Sequence, residues 1–365
     1  MEKVFEIHAH TRFEQFTIVQ IEEILQREME WTGTDKICLL SIIHQGDYNT
    51  IKTDRTQNVK NLFLKYDLGE KAYAFASLEH PLHTVDKKIW KKSLKKQAKE
   101  YHEVGFDGVK MLEGYPSLRK IMGVSLCDEV YDDYYAYMEE HQIPIIMHVG
   151  NPEENWDIKK ADKYAVALGR VYDESYPTKK QLQDEVFEIL NKFPNLCLTL
   201  AHMGFMSHSI EDAEKFMSYK NTRLDITPGG EQLIYMSEHW GIWKNFFEKY
   251  QDRILYGSDF YPFSAPTEAE RKVAIERRTK FIRQLFETND SHVYLGAPFK
   301  GVLLDKSLRE KIYYKNAERY LGARKAVDLE YLKREALSLI NETENVDVYC
   351  KEDMEYILKA IKKGM

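Results

Sequence analysis

Eight short apolar runs, each followed by a stretch of helical periodicity, constrain this chain more than any other feature it carries. The runs are KVFEIHAH (3–10), KICLLSIIH (36–44), KAYAFASLE (71–79), GFDGVKML (105–112), IPIIMHVG (143–150), LCLTLAHMG (196–204), RLDITPG (223–229) and RILYGSDF (253–260). Their length, their β-branched and aromatic content and the turn residues around them predict strands. Between them, IVQIEEILQREME, VYDDYYAYMEEHQ, QLQDEVFEILNKF and LIYMSEHWGIWKNFFEKY repeat apolar residues at helical spacing. Strand and helix alternate throughout, the pattern of parallel βα units, and eight such units close into an α/β structure of the (β/α)8 or TIM-barrel type.

The 365 residues leave room for two additions to a plain barrel. Residues 151–178, NPEENWDIKKADKYAVALGRVYDESYPT, are rich in charge and aromatics and follow the fifth run. In a barrel such a loop lies on the C-terminal face, as a lid or wall over whatever binds there. The tail reads as two amphipathic helical pieces. The expected division is therefore a barrel over 1–323 and a helical extension over 324–365, packed on the barrel or on a second copy in a homodimer.

Composition narrows the class. Hydrophobic residues make up 43% and charged residues 30%, enough for a core of normal size. A net charge of −7 and a pI of about 6.0 argue against a nucleic-acid binder. The local basic run KKIWKKSLKK (87–96) reads as a solvated helix face with Ile89, Trp90 and Leu94 turned inward. Cys38, Cys127, Cys197 and Cys350 show no paired spacing, and neither a signal segment nor a membrane-length apolar run is present. The expectation is a reduced, soluble, cytoplasmic protein with a small-molecule substrate and no nucleic-acid or membrane partner.

The polar residues at the ends of the runs carry the chemistry. His8 and His10 end the first run, and by strand alternation they share a face with Glu6. An isolated His-x-His is more often an accident of composition than half a metal site. His148 ends the fifth run, His202 the sixth and Asp259 the eighth. Each has a bland alternative: a satisfied buried histidine, a turn residue, a capping aspartate. Random placement would scatter them, whereas all five fall at the barrel end where active sites are built. That collection predicts a metal site.

At these residues the sequence resembles the amidohydrolase superfamily, and within it the amidohydrolase-related group that includes enzymes of the carboxymuconate-semialdehyde decarboxylase type. The resemblance covers roughly residues 3–323. It rests on the His-x-His, PIIMHVG, LTLAHMG, LDITPG, ILYGSD and the late helix LREKIYYKNAERYLG (308–322). It implies that His8, His10, His148 and Asp259 hold one divalent ion, Zn²⁺ by ligand type with Mn²⁺ or Fe²⁺ as alternatives. It also implies that His202 stands beside the ion as a catalytic group, with Asp259 accepting a proton from bound water. Glu6 replaces the aspartate usual in Asp-x-His-x-His and is expected to orient a ligand. Lys110, on the fourth run, has three readings: a carbamylated bridge between two metals, a substrate contact, or an ion pair with Glu113 or Asp225.

The resemblance leaves the reaction open. The expectation is a metal-dependent hydrolase of a small carboxylated or cyclic substrate, an amide or lactone. The alternatives are a nonoxidative decarboxylase of an unsaturated or aromatic acid and a non-catalytic metal-binding barrel. Arg12 and Lys110 are candidate contacts for an anionic substrate, and Trp156 and Tyr261 candidate walls.

Overall fold

The structure, a computed structural model, describes residues 2–11, 16–42, 55–80, 85–229, 232–259, 267–342 and 349–364. Its centre is one sheet of eight strands: β1 (Val4–His10), β2 (Thr34–Leu40), β3 (Ala72–Ser77), β4 (Gly108–Gly114), β5 (Ile145–Val149), β6 (Leu198–Leu200), β7 (Thr222–Asp225) and β8 (Ile254–Leu255). They pair in sequence order, and every pairing is parallel. The seam between β8 and β1 is bridged by Ile7 N–H donating to the Tyr256 carbonyl at 3.1 Å, which leaves a nearly closed TIM barrel.

The helices form where sequence and packing agree. The helix Ile18–Thr32 begins at a Thr17–Gln20 capping box and ends at Gly33 in the left-handed region, φ 71°. It buries Ile18, Ile21, Leu25 and Met29, a stripe at three- and four-residue spacing. The helix Lys87–Val104 buries Trp90, Leu94, Ala98 and Tyr101, but Ile89 is 57% exposed. That corrects the expected inward turn of Ile89, which lies about a hundred degrees round the helix from Trp90.

Inside the barrel, Phe5 and Ile7 of β1 meet Cys38 and Leu40 of β2, Phe75 of β3, Ile146 of β5 and Leu255 of β8 in one apolar cluster. Side chains from opposite sides of a ring of strands meet only in its lumen, so this cluster is the floor beneath the C-terminal rim. Gly108 makes room for it: a Cβ there would stand 2.6 Å from the Phe75 ring. Two residues further along β4, Lys110 rises above that floor.

Beyond the barrel, a hairpin of β9 (Ser291–Tyr294) and β10 (Ala297–Lys300) follows the long helix Glu268–Glu287. The helices Leu329–Ile340 and Cys350–Gly364 pack on the barrel's own helices. Leu332, Leu339, Met354, Ile357 and Ile361 join the main apolar core. Lys60, on the helix Arg55–Asp67, forms a buried ion pair with Asp353. All four cysteines are free, Cys127 alone of them not fully buried. No helix among the described residues is long and apolar enough to cross a membrane.

Candidate metal centre

The first strand delivers two imidazoles because its register slips. Glu6 pairs with Ile37 and Ala9 with Leu39, so β1 takes three steps where β2 takes two. A bulge of this kind re-aims side chains and is common beside active sites. It also breaks the simple alternation expected of Glu6, His8 and His10. Glu6 does not reach an imidazole. Its carboxylate accepts from His8 N–H at 2.9 Å, Ser258 N–H at 3.0 Å and Ser258 Oγ at 2.6 Å, tying the bulge to the segment after β8. Burial pushes its carboxyl up to about 8, against the pull of those donors.

His8, His10 and Asp259 come together, with one ligand atom from each within 4.8 Å of the others. His8 Nε2 and His10 Nε2 are 3.0 Å apart, and Asp259 Oδ1 lies 3.9 and 3.8 Å from them. The ring partners fix the tautomers. His8 Nδ1 faces Asp225 Oδ2 at 2.9 Å and His10 Nδ1 faces the Leu40 carbonyl at 3.1 Å, so each Nδ1 carries the hydrogen. Both Nε2 atoms then present lone pairs to each other, an arrangement that a cation between them satisfies. Ligand atoms about 2.0–2.2 Å from a common ion lie at most about 4.4 Å apart, and all three separations fall below that. The donor set fits a divalent metal.

The surroundings keep these ligands ready. Burial, then the nearby Lys110 charge, holds His8 well below the usual imidazole value, so its ring stays neutral. Asp259 is held from behind: Arg278 of the helix Glu268–Glu287 stands 3.0 Å from Oδ2, leaving Oδ1 toward the histidines. Burial pushes the Asp259 carboxyl up and Arg278 pulls it back.

His148 and His202 line the same rim. The His202 ring centre lies 5.1 Å from that of His8 and 4.9 Å from that of His148. His202 opens a left-handed turn in which it and Met203, Gly204 and Phe205 have φ of 55°, 52°, 60° and 50°. Such backbone is strained for side-chain-bearing residues and collects at functional sites. The turn is held by His202 N–H donating to Asp225 Oδ1 at 2.8 Å. It is also accommodated by Gly229, where a Cβ would meet the Phe205 and His202 rings. His202 Nδ1 is buried with no hydrogen-bond partner among the described residues. The His148 Nε2 faces the Gly150 carbonyl at 2.9 Å, outside the trio, and burial lowers that ring to about 3.

Lys110 is only 1% exposed, with its Nζ 3.3 Å from His8 Nε2. Among the described residues no carboxylate stands within ion-pair distance of it. Glu113 points instead to His80 Nε2 at 3.2 Å, and Asp225 is taken by His8, His202 and Thr227. Burial lowers Lys110 to about 8. Trp156 lies in the interior of the loop after β5, its ring 4.9 Å from Tyr172 and its Nε1–H donating to the Pro177 carbonyl at 3.1 Å. Arg12 and Tyr261 lie outside the described residues.

Two supports escaped the sequence reading. Asp225 ends an apolar run at the same rim as the histidines, a signal of the same kind, but it entered only as a partner for Lys110. Arg278 sits on a charged helix and nothing in its neighbourhood marks it.

Residues 90–323 match the family model described as amidohydrolase. No curated protein matches the chain. Among solved structures, an uncharacterised TIM-barrel protein from Bordetella bronchiseptica is similar at 14% identity and a TM-score of 0.57, covering 88% of this chain and 98% of that one. A 4-oxalomesaconate hydratase from Rhodopseudomonas palustris is similar at 14% identity and 0.52, covering 92% and 98%. A dihydroxybenzoic acid decarboxylase from Polaromonas sp. JS666, solved with bound manganese and the inhibitor 2-nitroresorcinol, is similar at 13% identity and 0.50, covering 88% and 96%.

Proposed function

The chain belongs to the amidohydrolase family, and on that premise we propose that it is a metal-dependent enzyme that decarboxylates a small unsaturated or aromatic acid. Lys110 carries this reading. A buried ammonium against a metal ligand, with no carboxylate within ion-pair distance among the described residues, would add to the charge of a divalent ion and of Arg278. Among the described residues the carboxylates that act on it from further off are Asp225, Asp259 and Glu113, and burial pushes Glu113 toward its neutral form. A positive surplus in a desolvated site is satisfied by an anionic substrate.

His8, His10 and Asp259 would hold the ion, and His148 would join them if its ring turned from the Gly150 carbonyl. Zinc and manganese both suit two imidazoles with a carboxylate, and the Polaromonas decarboxylase holds manganese. A bound divalent ion would act as a Lewis acid toward a substrate oxygen. Lys110 would grip that same anionic oxygen and stabilise the charge left as carbon dioxide departs. His202, neutral and with Nδ1 unclaimed, is in place to move a proton.

Hydrolysis of an amide or lactone is the second reading, and His202 as a general base favours it. Asp259 suits it less well. Accepting a proton while touching an ion takes both oxygens, and Arg278 occupies Oδ2.

Elemental analysis of protein prepared without chelator, followed by a screen of carboxylic acids for carbon dioxide release, tests the proposal. We expect near-stoichiometric zinc or manganese, lost in His8→Ala and Asp259→Ala, and turnover lost in Lys110→Met with metal retained. Turnover confined to amides or lactones would establish the second reading instead. A protein that takes up neither metal would overturn both.

A further inference from the structure

The ladder between β1 and β2 ends at His10 and Leu40, the last pair in their register. His10 Nδ1 finds its partner, the Leu40 carbonyl, at that same rung. No rung of this ladder reaches Thr11, Ser41 or Ile42, yet all three are buried, and buried backbone groups need partners. The helix Arg55–Asp67 supplies them. Gln57 Nε2–H donates to the Thr11 carbonyl, and Gln57 Oε1 accepts from Ile42 N–H at 2.8 Å. Asn61 Oδ1 accepts from the Thr11 hydroxyl, and Asn61 Nδ2–H donates to Ser41 Oγ at 2.9 Å. A carboxamide has the donor and the acceptor of a peptide group. Each of these side chains therefore spans the two strand ends as a further rung would.

Gln57 and Asn61 are four residues apart and share one face of their helix. The helix is a fixed support, since Lys60 between them is tied to the last helix by its buried ion pair with Asp353. Asn58 does the same work for β3: its Nδ2–H donates to the Ser77 carbonyl at 3.0 Å and its Oδ1 accepts from Ser77 N–H at 2.9 Å. However, β3 carries none of the trio His8, His10 and Asp259. Backbone satisfaction alone accounts for Asn58. Gln57 and Asn61 go further, because the residues they pin come directly after a metal ligand and directly after the carbonyl that sets its tautomer.

Resting on the metal centre proposed above, we infer that Gln57 and Asn61 are positioning residues for His10. By fixing Thr11 against Ser41 and Ile42, they keep the Leu40 carbonyl opposite His10 Nδ1, with Nε2 toward His8 and Asp259. An imidazole held in this way is pre-organised for an ion, and partners beyond the ligands tune affinity through such orientation.

Cobalt(II) binding to the full chain tests this without turnover, with affinity read by competition with a chelating dye and ligand geometry by the visible ligand-field spectrum. Gln57→Met and Asn61→Leu keep the side-chain size and remove both bonds. Each should weaken cobalt binding about tenfold or more and change the spectrum. Gln57→Glu, whose acid form again offers a donor and an acceptor, should regain part of the loss. Asn58→Leu is the comparison: it should lower the unfolding midpoint and leave both cobalt readings as in wild type. The inference is overturned if Gln57→Met and Asn61→Leu leave either reading as in wild type. It is equally overturned if Asn58→Leu weakens binding as much, which would mean that any loosening of the strand ends suffices. Where an amide variant does not fold, Thr11→Val and Ser41→Ala each remove one bond from the strand side and are read in the same way. Failure of the metal centre itself is a different result: wild type that takes up no cobalt, or His10→Ala that binds it as tightly as wild type.

Discussion

Asp225 divides two oxygens among three donors, and the arrangement of the site follows from that division. Oδ2 takes His8 Nδ1, and Oδ1 takes the N–H groups of His202 and Thr227, at 2.8 and 3.1 Å. One carboxylate thus sets the tautomer of a metal ligand and anchors the left-handed turn that carries His202. Asp225→Asn keeps the shape but removes the charge that fixes the His8 hydrogen on Nδ1. We expect metal affinity to fall about 10–100-fold, read by competition with a chelating dye, with the far-ultraviolet circular dichroism unchanged. Unaltered affinity would mean that the tautomer is set elsewhere. The histidines themselves were legible, because a polar residue closing an apolar strand is conspicuous. Lys110 was legible as a residue but not in its isolation, since which carboxylates face it depends on distances across the barrel. Arg278 reaches Asp259 from a helix whose sequence is charged on most sides, so nothing singled it out.

Among the elements, the early strands matched their apolar runs closely, and the late ones were shorter than their runs. LCLTLAHMG yields only Leu198–Leu200 as strand and RILYGSDF only Ile254–Leu255. In the first, the backbone turns left-handed at His202. In the second, Tyr256 N–H leaves the ladder for the Ile312 carbonyl at 2.9 Å. Apolar content predicts burial, and it does not say where a buried backbone stops pairing with its neighbour. The bulge in β1 was hidden for the same reason. The hairpin of β9 and β10 carries no apolar run to mark it, because its residues are exposed or half-buried except for Phe299. The tail was read as amphipathic helices, and its most consequential member is Asp353: it pairs with buried Lys60 and also accepts Ile18 N–H at 2.9 Å, capping the first helix. Asp353→Ala takes the carboxylate away from a buried ammonium, at a cost of about 3–5 kcal/mol. We expect a matching drop in the free energy of urea unfolding, and its partial recovery when Lys60→Met is added. Equal losses in the single and double variants would show that packing of the last helix, not the charge pair, is what matters.

For the molecule as a whole, buried ionisable groups give stability an unusual dependence on pH. Burial pushes Glu6, Glu28 and Glu113 each up to about 8 from an ordinary 4.5. The folded chain then holds protons that the unfolded chain has lost, so stability falls as pH rises from 4.5 through 8. Burial acts oppositely on histidine. His80 and His148 are lowered to about 3, and His8 and His202 well below the ordinary 6.5. The unfolded chain gains protons there first, and stability falls as pH drops below 6.5. Between 4.5 and 6.5 the two sets oppose each other; from 6.5 to 8 only the carboxyls act. For metal-free protein we expect the melting temperature to peak in the range 4.5–6.5 and to decline toward 8. A flat profile from 6.5 to 8 would show that these carboxyls are already ionised in the fold. The spacing of the trio along the chain has a consequence for how the site comes apart. His8 and His10 are two residues apart, whereas Asp259 reaches them only after seven further strands. Two donors are local in sequence and the third depends on the ring of strands being closed, so an ion held there would be released in the same step that parts β8 from β1.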